Sequence, residues 1–258
     1  MQTGAITGYI DVAQLALYGF WIFFAGLIFY LRGEDKREGY PLETDARGRR
    51  GPIQGYPPMP KPKTYLLQHG GIRVLPNYAN DQSTLAAVPG PWIGSPIVPT
   101  GNPMLDGVGP AAYANRSDTP DLTYEGHARI VPLRAAPGFG LESHDPDPRG
   151  MTVLAIHREI AGTVTDVWVD RSELVVRYYE VAVSTAAGTV HVLLPSNFTR
   201  IESRRRNVLV KAISAAQFAN VPLTQHPEQV TLLEEDRIMA YFASGHLYAL
   251  PSRREPLL

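Results

Sequence analysis

Two groupings of side chains in this sequence could move protons. Glu125-Gly-His127 follows Pro120-Asp121, and Asp166, Asp170 and Glu173 gather around the end of a strand-like run. A proton relay needs groups that both accept and release near neutral pH, spaced by hydrogen-bond or single-water steps. An unperturbed histidine meets that requirement. Carboxylates meet it when crowding or burial raises their proton affinity, and they then titrate as a cluster. By spacing alone, however, a charged turn is more often only a solvated turn. Both readings stand at this point.

Other chemistries are excluded more firmly. The chain has no cysteine, so disulfides, thiol catalysis and Cys-based zinc sites are ruled out. It carries no HExxH, P-loop, GxSxG or dinucleotide fingerprint. Gly107-x-Gly109 runs into Pro110 and Ala111 and reads as a turn. The histidines at 69, 127, 144, 157, 191, 226 and 246 show no metal-ligand pairing on a helix. No nucleophile, base and orienting group assemble. A formal net charge of −1 gives no field for nucleic acid. The expectation is a protein that is not an enzyme and binds no cofactor itself.

The elements that must hold these groups begin with a membrane span. Residues 12–31 (VAQLALYGFWIFFAGLIFYL) contain no charge, and Gln14 is the one strongly polar side chain. Twenty residues at about 1.5 Å each cover about 30 Å, the thickness of a hydrocarbon core. Tyr9 and Tyr30 lie near its ends, where amphipathic rings favour the interface. A cleaved signal peptide would need a basic start, a shorter apolar run and a small-residue cleavage site, none of which is present. Lys and Arg are absent from residues 1–11, whereas Arg32, Lys36, Arg37, Arg47, Arg49 and Arg50 follow the run. Positive-inside counting therefore places residues 1–11 on the outer side and the C-terminal mass in the cytoplasm. Arg32, Lys36 and Arg37 are expected to face anionic lipid head groups. Ala16, Gly19 and Gly26 form a small-residue face that would admit a partner helix, although such residues are common in membrane helices generally.

From residue 32 to 120 the chain is proline-rich, with 13 of its 23 prolines between residues 51 and 120. Proline fixes φ and removes a donor, so long helices and central strands are disfavoured there. Short strands are expected at residues 63–67 (KTYLL) and 72–75 (IRVL). The segment keeps Tyr56, Tyr65, Tyr78, Trp92, Ile93 and Tyr113, unlike a disordered linker. It reads as an extended chain lying on a large partner protein.

From residue 121 to 258 the pattern is that of a small β-barrel or sandwich. Strands are expected at residues 162–170, 174–183, 189–195 and 207–213, separated by turn residues. One helix should start at the Thr231-x-x-Glu234 capping box and stop at Gly245. The tail PSRREPLL is expected to fray.

Several stretches resemble the H subunits of purple-bacterial photosynthetic reaction centres. They are residues 11–43 (DVAQLALYGFWIFFAGLIFYLRGEDKREGYPLE), 99–113 (PTGNPMLDGVGPAAY), 131–139 (VPLRAAPGF), 166–173 (DVWVDRSE) and 230–249 (VTLLEEDRIMAYFASGHLYA). The resemblance implies one transmembrane helix, an extended segment on the cytoplasmic face of the L and M subunits, and a C-terminal barrel of the photosynthetic-reaction-centre type. It implies a capping subunit that stabilises the quinone region and conducts protons to the secondary quinone. Bacteriochlorophyll, bacteriopheophytin, quinones and non-haem iron would be held by the partner subunits, with core antenna polypeptides, a cytochrome and membrane lipids as further neighbours.

By the same resemblance, Asp170 and Glu173 fall at acidic relay positions. His127 falls at the second of two histidines that some members use for proton uptake. Glu125 replaces the first, and Thr123 stands where those members have an aspartate, which alters the expected pH dependence. Arg177 and Glu235 match charged positions near the L–M interface, where a structural role is expected. The rival readings are a membrane-anchored barrel adaptor outside photosynthesis and a single-pass enzyme. The distinctive REGYPLE run disfavours the first, and the missing motifs disfavour the second.

Overall fold

The computed structural model describes residues 4, 6–7, 9–40, 42, 55–76, 84–92 and 94–254. Arg47, Arg49, Arg50, Tyr78, Ile93 and residues 255–258 lie outside them. The chain divides into two compact units, Met1–Ser83 with Trp92–Gly94, and Thr84–Pro91 with Ser95–Leu258.

The first unit is built on helix α1, Val12–Glu34. Gln14, the lone polar side chain of the apolar run, is used at the helix start. The Asp11 carboxylate accepts from the Gln14 N–H at 2.7 Å, and Gln14 Oε1 accepts from the Asp11 N–H at 3.2 Å. This capping box satisfies orphan amide donors of the first turn. The helix is long and apolar enough to cross a membrane, and none of its residues is buried within the chain. It runs three residues past Leu31, through Arg32, Gly33 and Glu34.

A short 3₁₀ turn, Asp35–Arg37, then anchors the proline-rich segment. Lys36 is only 1% exposed, and its ammonium donates to the carbonyls of Gly55 and Pro57. Arg37 chelates Glu34 through two bonds of 2.9 Å and donates to the carbonyls of Lys61 and Leu75 at 2.6 and 3.0 Å. Lys63 completes the knot, with Nζ 2.8 Å from Glu34 and 3.3 Å from the Tyr30 hydroxyl. Lys63 opens strand β1, Lys63–Leu66, which pairs antiparallel with β2, Ile72–Leu75. This two-stranded ribbon is exposed along nearly its whole length, with Leu66 85% and Ile72 65% accessible.

The second unit opens with a small antiparallel pair, β3 (Ala87–Val88) and β4 (Val98–Pro99). Its main sheet has seven strands: β5 (Ile130–Pro132), β6 (Thr152–Leu154), β7 (Ile160–Asp170), β8 (Val175–Thr185), β9 (Gly188–Pro195), β10 (Thr199–Glu202) and β11 (Asn207–Val210). The order is β10-β11-β6-β7-β8-β9, with β5 also on β7, and only β11–β6 is parallel. Among the described residues no ladder joins β10 to β9, so the barrel is open. Trp168, Val164, Val181, Leu194 and Val208 fill its core. Helix α2, Leu232–Tyr248, packs Phe242 against Phe218 and Phe198.

Residues 95–120 belong to the second unit: Val108 is fully buried, and the Thr119 and Ser117 carbonyls accept from the Leu232 and Leu233 amides at 3.1 and 3.2 Å. Two expectations are corrected. Gly245 does not end α2. A Cβ there would lie 2.4 Å from the Ala212 carbonyl oxygen, so the glycine permits close packing and the helix continues to Tyr248. The start of the tail does not fray either, since Arg253 donates to the carbonyls of Lys211, Ala212 and Gly245 at 2.8, 3.0 and 2.7 Å.

Candidate proton-transfer site

The Glu125-Gly-His127 grouping occupies the tip of a narrow hairpin. The Thr123 and Arg129 amides donate to the carbonyls of His127 and Asp121, both at 2.8 Å. The Gly126 amide closes the turn onto the Thr123 carbonyl at 3.0 Å, with Gly126 at φ +85°, a region glycine enters without steric cost. Glu125 and His127 are both exposed. The backbone amide of Glu125 and the Thr123 hydroxyl hold the Glu125 carboxyl below its ordinary value.

The returning arm of this hairpin delivers Arg129, which leads directly into β5. Ile130 of β5 lies opposite Asp170 of β7, so the arginine is brought to the end of β7. Asp170 is wholly buried. Its Oδ1 accepts from the amides of Ser172 and Glu173 at 2.9 and 3.0 Å, shaping the turn from β7 to β8. Arg129 grips both oxygens, with Nε 3.0 Å from Oδ1 and Nη2 2.9 Å from Oδ2. Arg177 approaches Oδ2 through Nε at 3.2 Å and Nη2 at 3.1 Å. The β7–β8 register shifts between Trp168 and Val169, and the ladder passes over Arg177. Such a bulge re-aims a side chain.

Glu173 spans the two guanidinium groups, 2.5 Å from Arg129 and 2.7 Å from Arg177. Asp121 adds a third carboxylate, 3.0 Å from Arg129 Nη1. Burial pushes the Asp170 carboxyl up, but Arg129, the two turn amides and Arg177 outweigh it and leave Asp170 below the usual aspartate range. Asp170 therefore stays charged at neutral pH. Glu173, with its side chain 52% accessible, is the member of the cluster that reaches water most freely.

Glu235 sits in the first turn of α2 and accepts the Tyr178 hydroxyl at 3.0 Å. Burial raises its carboxyl above the ordinary glutamate value, partly opposed by Tyr178 and Arg177. Its surroundings thus favour the protonated acid more than water does.

Asp166 does not join Asp170 and Glu173. It lies opposite Glu180 in the β7–β8 ladder, and the two carboxylates share Arg134 Nη1 at 3.0 and 2.7 Å. Glu180 also accepts from Trp168 Nε1 at 3.0 Å. Of the three cations expected to face lipid, Arg32 is exposed, whereas Lys36 and Arg37 turn inward onto backbone carbonyls and Glu34. Arg129 and Tyr178 escaped the sequence reading. The only local signal for Arg129 was its place just before an apolar strand.

Among the described residues, no group of three or more His, Asp or Glu could hold a metal ion. Comparison with known families gives two matches. The photosynthetic reaction centre H-chain N-terminal region matches residues 4–135, which include α1, the proline-rich segment, the 121–129 hairpin and β5. The PRC-barrel domain matches residues 142–217, which carry β6 to β11. With the first match alone covering half its length, the chain belongs to the H-chain family of photosynthetic reaction centres, as a membrane-anchored accessory subunit of that complex.

Proposed function

We propose that this subunit caps the cytoplasmic face of the L–M core, shields the quinone region from water, and passes protons from the cytoplasm to the secondary quinone. A quinone reduced twice in a low-dielectric interior cannot keep two negative charges, so protons must arrive as electrons do. The observation that carries this reading is the position of Glu173, accessible to water yet held between Arg129 and Arg177 beside the buried Asp170.

In this scheme Glu125 and His127 collect protons at the hairpin tip. Glu173 exchanges them, and Asp170 serves as the fixed counter-charge that keeps both arginines in place. Arg177 shapes the cluster's electrostatics, and Glu235 stands behind it. The exposed apolar ribbon of β1 and β2 fits a surface buried on the partner subunits, since large apolar side chains left open mark contact sites. The basic residues after α1 support an orientation with the N-terminus periplasmic. Arg32 is the cation best placed to meet a lipid head group. Bacteriochlorophyll, bacteriopheophytin, quinones and non-haem iron belong to the partner chains, and core antenna polypeptides and a cytochrome are the remaining neighbours.

Two measurements test this. Pigment bands that co-purify with the tagged chain, and bleach on a flash, support the complex; a colourless intact preparation refutes it. Within the complex, an Asp170→Asn, Glu173→Gln double variant should slow the second electron transfer about tenfold or more while leaving primary charge separation intact. Unchanged second-electron kinetics would remove the relay.

A further inference from the structure

Tyr178 is 3% exposed, and its hydroxyl points from β8 to Glu235 Oε2 at 3.0 Å. The phenol stands at a fixed place in the core, because Tyr178 pairs with Trp168 on one side and Pro195 on the other. Glu235 is equally fixed, since it lies in the first turn of α2 and its amide donates to the Thr231 carbonyl at 2.9 Å. We propose that Tyr178 is a positioning residue for Glu235, and that the pair forms an internal proton store behind the Asp170–Glu173 network. The proposal deepens the relay reading and rests on it.

The surroundings are suited to storage. Glu235 bonds Tyr178 of β8 and feels the charges of Arg177 from β8, Asp121 from the hairpin and Arg116 from the segment before it, while Asp236 on its own helix acts on Tyr178. Burial and Asp121 favour the neutral acid, whereas Arg177, Arg116, the phenol and the positive end of the helix favour the carboxylate. The net of these opposed influences lies on the side of the neutral acid. Burial and the neighbouring Glu235 push the Tyr178 hydroxyl up, so the phenol remains a donor and does not itself release a proton. When Glu235 gives its proton to a carboxylate or water of the surface network, its own O–H bond breaks as one forms on the acceptor. The carboxylate left behind is held by the Tyr178 O–H, and a proton from the cytoplasm restores the acid.

The test uses the intact reaction-centre complex and infrared difference spectroscopy on illumination, across a pH series. A protonated-carboxyl C=O band should vanish in Glu235→Gln. In Tyr178→Phe, which keeps the ring in the core, the same band should change frequency. Its titration midpoint should move up by about one pH unit, because a bond to the charged form is lost. A carboxyl region unchanged by Glu235→Gln, or a Tyr178→Phe spectrum identical to the parent, overturns the proposal. The relay is judged separately by second-electron kinetics in Glu173→Gln. Normal kinetics there with the expected Tyr178→Phe shift would discard delivery to the relay and retain the Tyr178–Glu235 pair as a proton-holding site.

Discussion

Arg129 Nε lies 3.0 Å from Asp170 Oδ1, although the two residues stand 41 positions apart in sequence. The same guanidinium meets Asp121 and Glu173, so one side chain ties the 121–129 hairpin to the β7–β8 turn. Arg129→Met would leave a buried carboxylate with Arg177 and two amides. The expected cost is about 3 kcal/mol, read from denaturant unfolding. Arg129→Lys should recover little of it, because a point charge cannot serve three carboxylates in a fixed fork. A midpoint unchanged in Arg129→Met would mean that Arg177 suffices alone.

Asp170 should make the β domain sensitive to acid. Its folded-state carboxyl lies below the ordinary aspartate value, so its stabilisation is complete above that value. It is lost as pH falls through the depressed folded-state value. Asp170→Asn should therefore be less stable than the parent by about 2–3 kcal/mol at neutral pH, with the gap narrowing in strong acid. Unfolding curves over a pH series check this, and a gap independent of pH would contradict it.

Glu235 has the opposite sign. Its folded-state carboxyl is raised, so folding is favoured fully below the ordinary glutamate value and loses that advantage as pH rises through the raised one. Glu235→Gln, neutral at every pH, should raise the thermal midpoint above neutrality and leave it unchanged in acid. A variant less stable than the parent in alkali would show that ionised Glu235 is well compensated.

Gly245→Ala sets two effects against each other. Alanine favours the helix over glycine by about 1 kcal/mol. The new methyl, however, would sit 2.4 Å from the Ala212 carbonyl oxygen and 2.6 Å from Ile213 Cγ2, where backbone cannot yield cheaply. Overpacking of about 1–3 kcal/mol should win, giving net destabilisation by thermal unfolding. A stabilised variant would reveal that α2 shifts freely.

How legible this chain was depended on the range of each interaction. α1 was plain from its uncharged run, and β7 and β8 from alternation and β-branched content. β5, β6 and β10 span only 3, 3 and 4 residues, too short to show a period. Asp166 was grouped with Asp170 because both lie near the end of one strand-like run, but four residue steps along an extended strand separate them by about 13 Å. Partners at the two ends of a strand differ accordingly: Arg134 serves one carboxylate, and Arg129 with Arg177 serves the other. Arg129 itself was invisible, since nothing local connects a hairpin arm to a turn formed much later in the chain. Gly245 was legible as a glycine but misread as a stop, because its reason for being glycine is a neighbour in space.

The buried ammonium of Lys36 bears on how the insertion of this chain is studied. The charge that counts toward orientation is the same charge that clasps the carbonyls of Gly55 and Pro57. A Lys36 neutralisation would weaken an orientation signal and unlace the juxtamembrane segment in one stroke, so its phenotype would be a sum of two faults. Arg32, exposed in the last turn of α1 with a 3.4 Å pair to Asp35, carries an equivalent charge, and charge swaps there test orientation without unlacing the juxtamembrane segment.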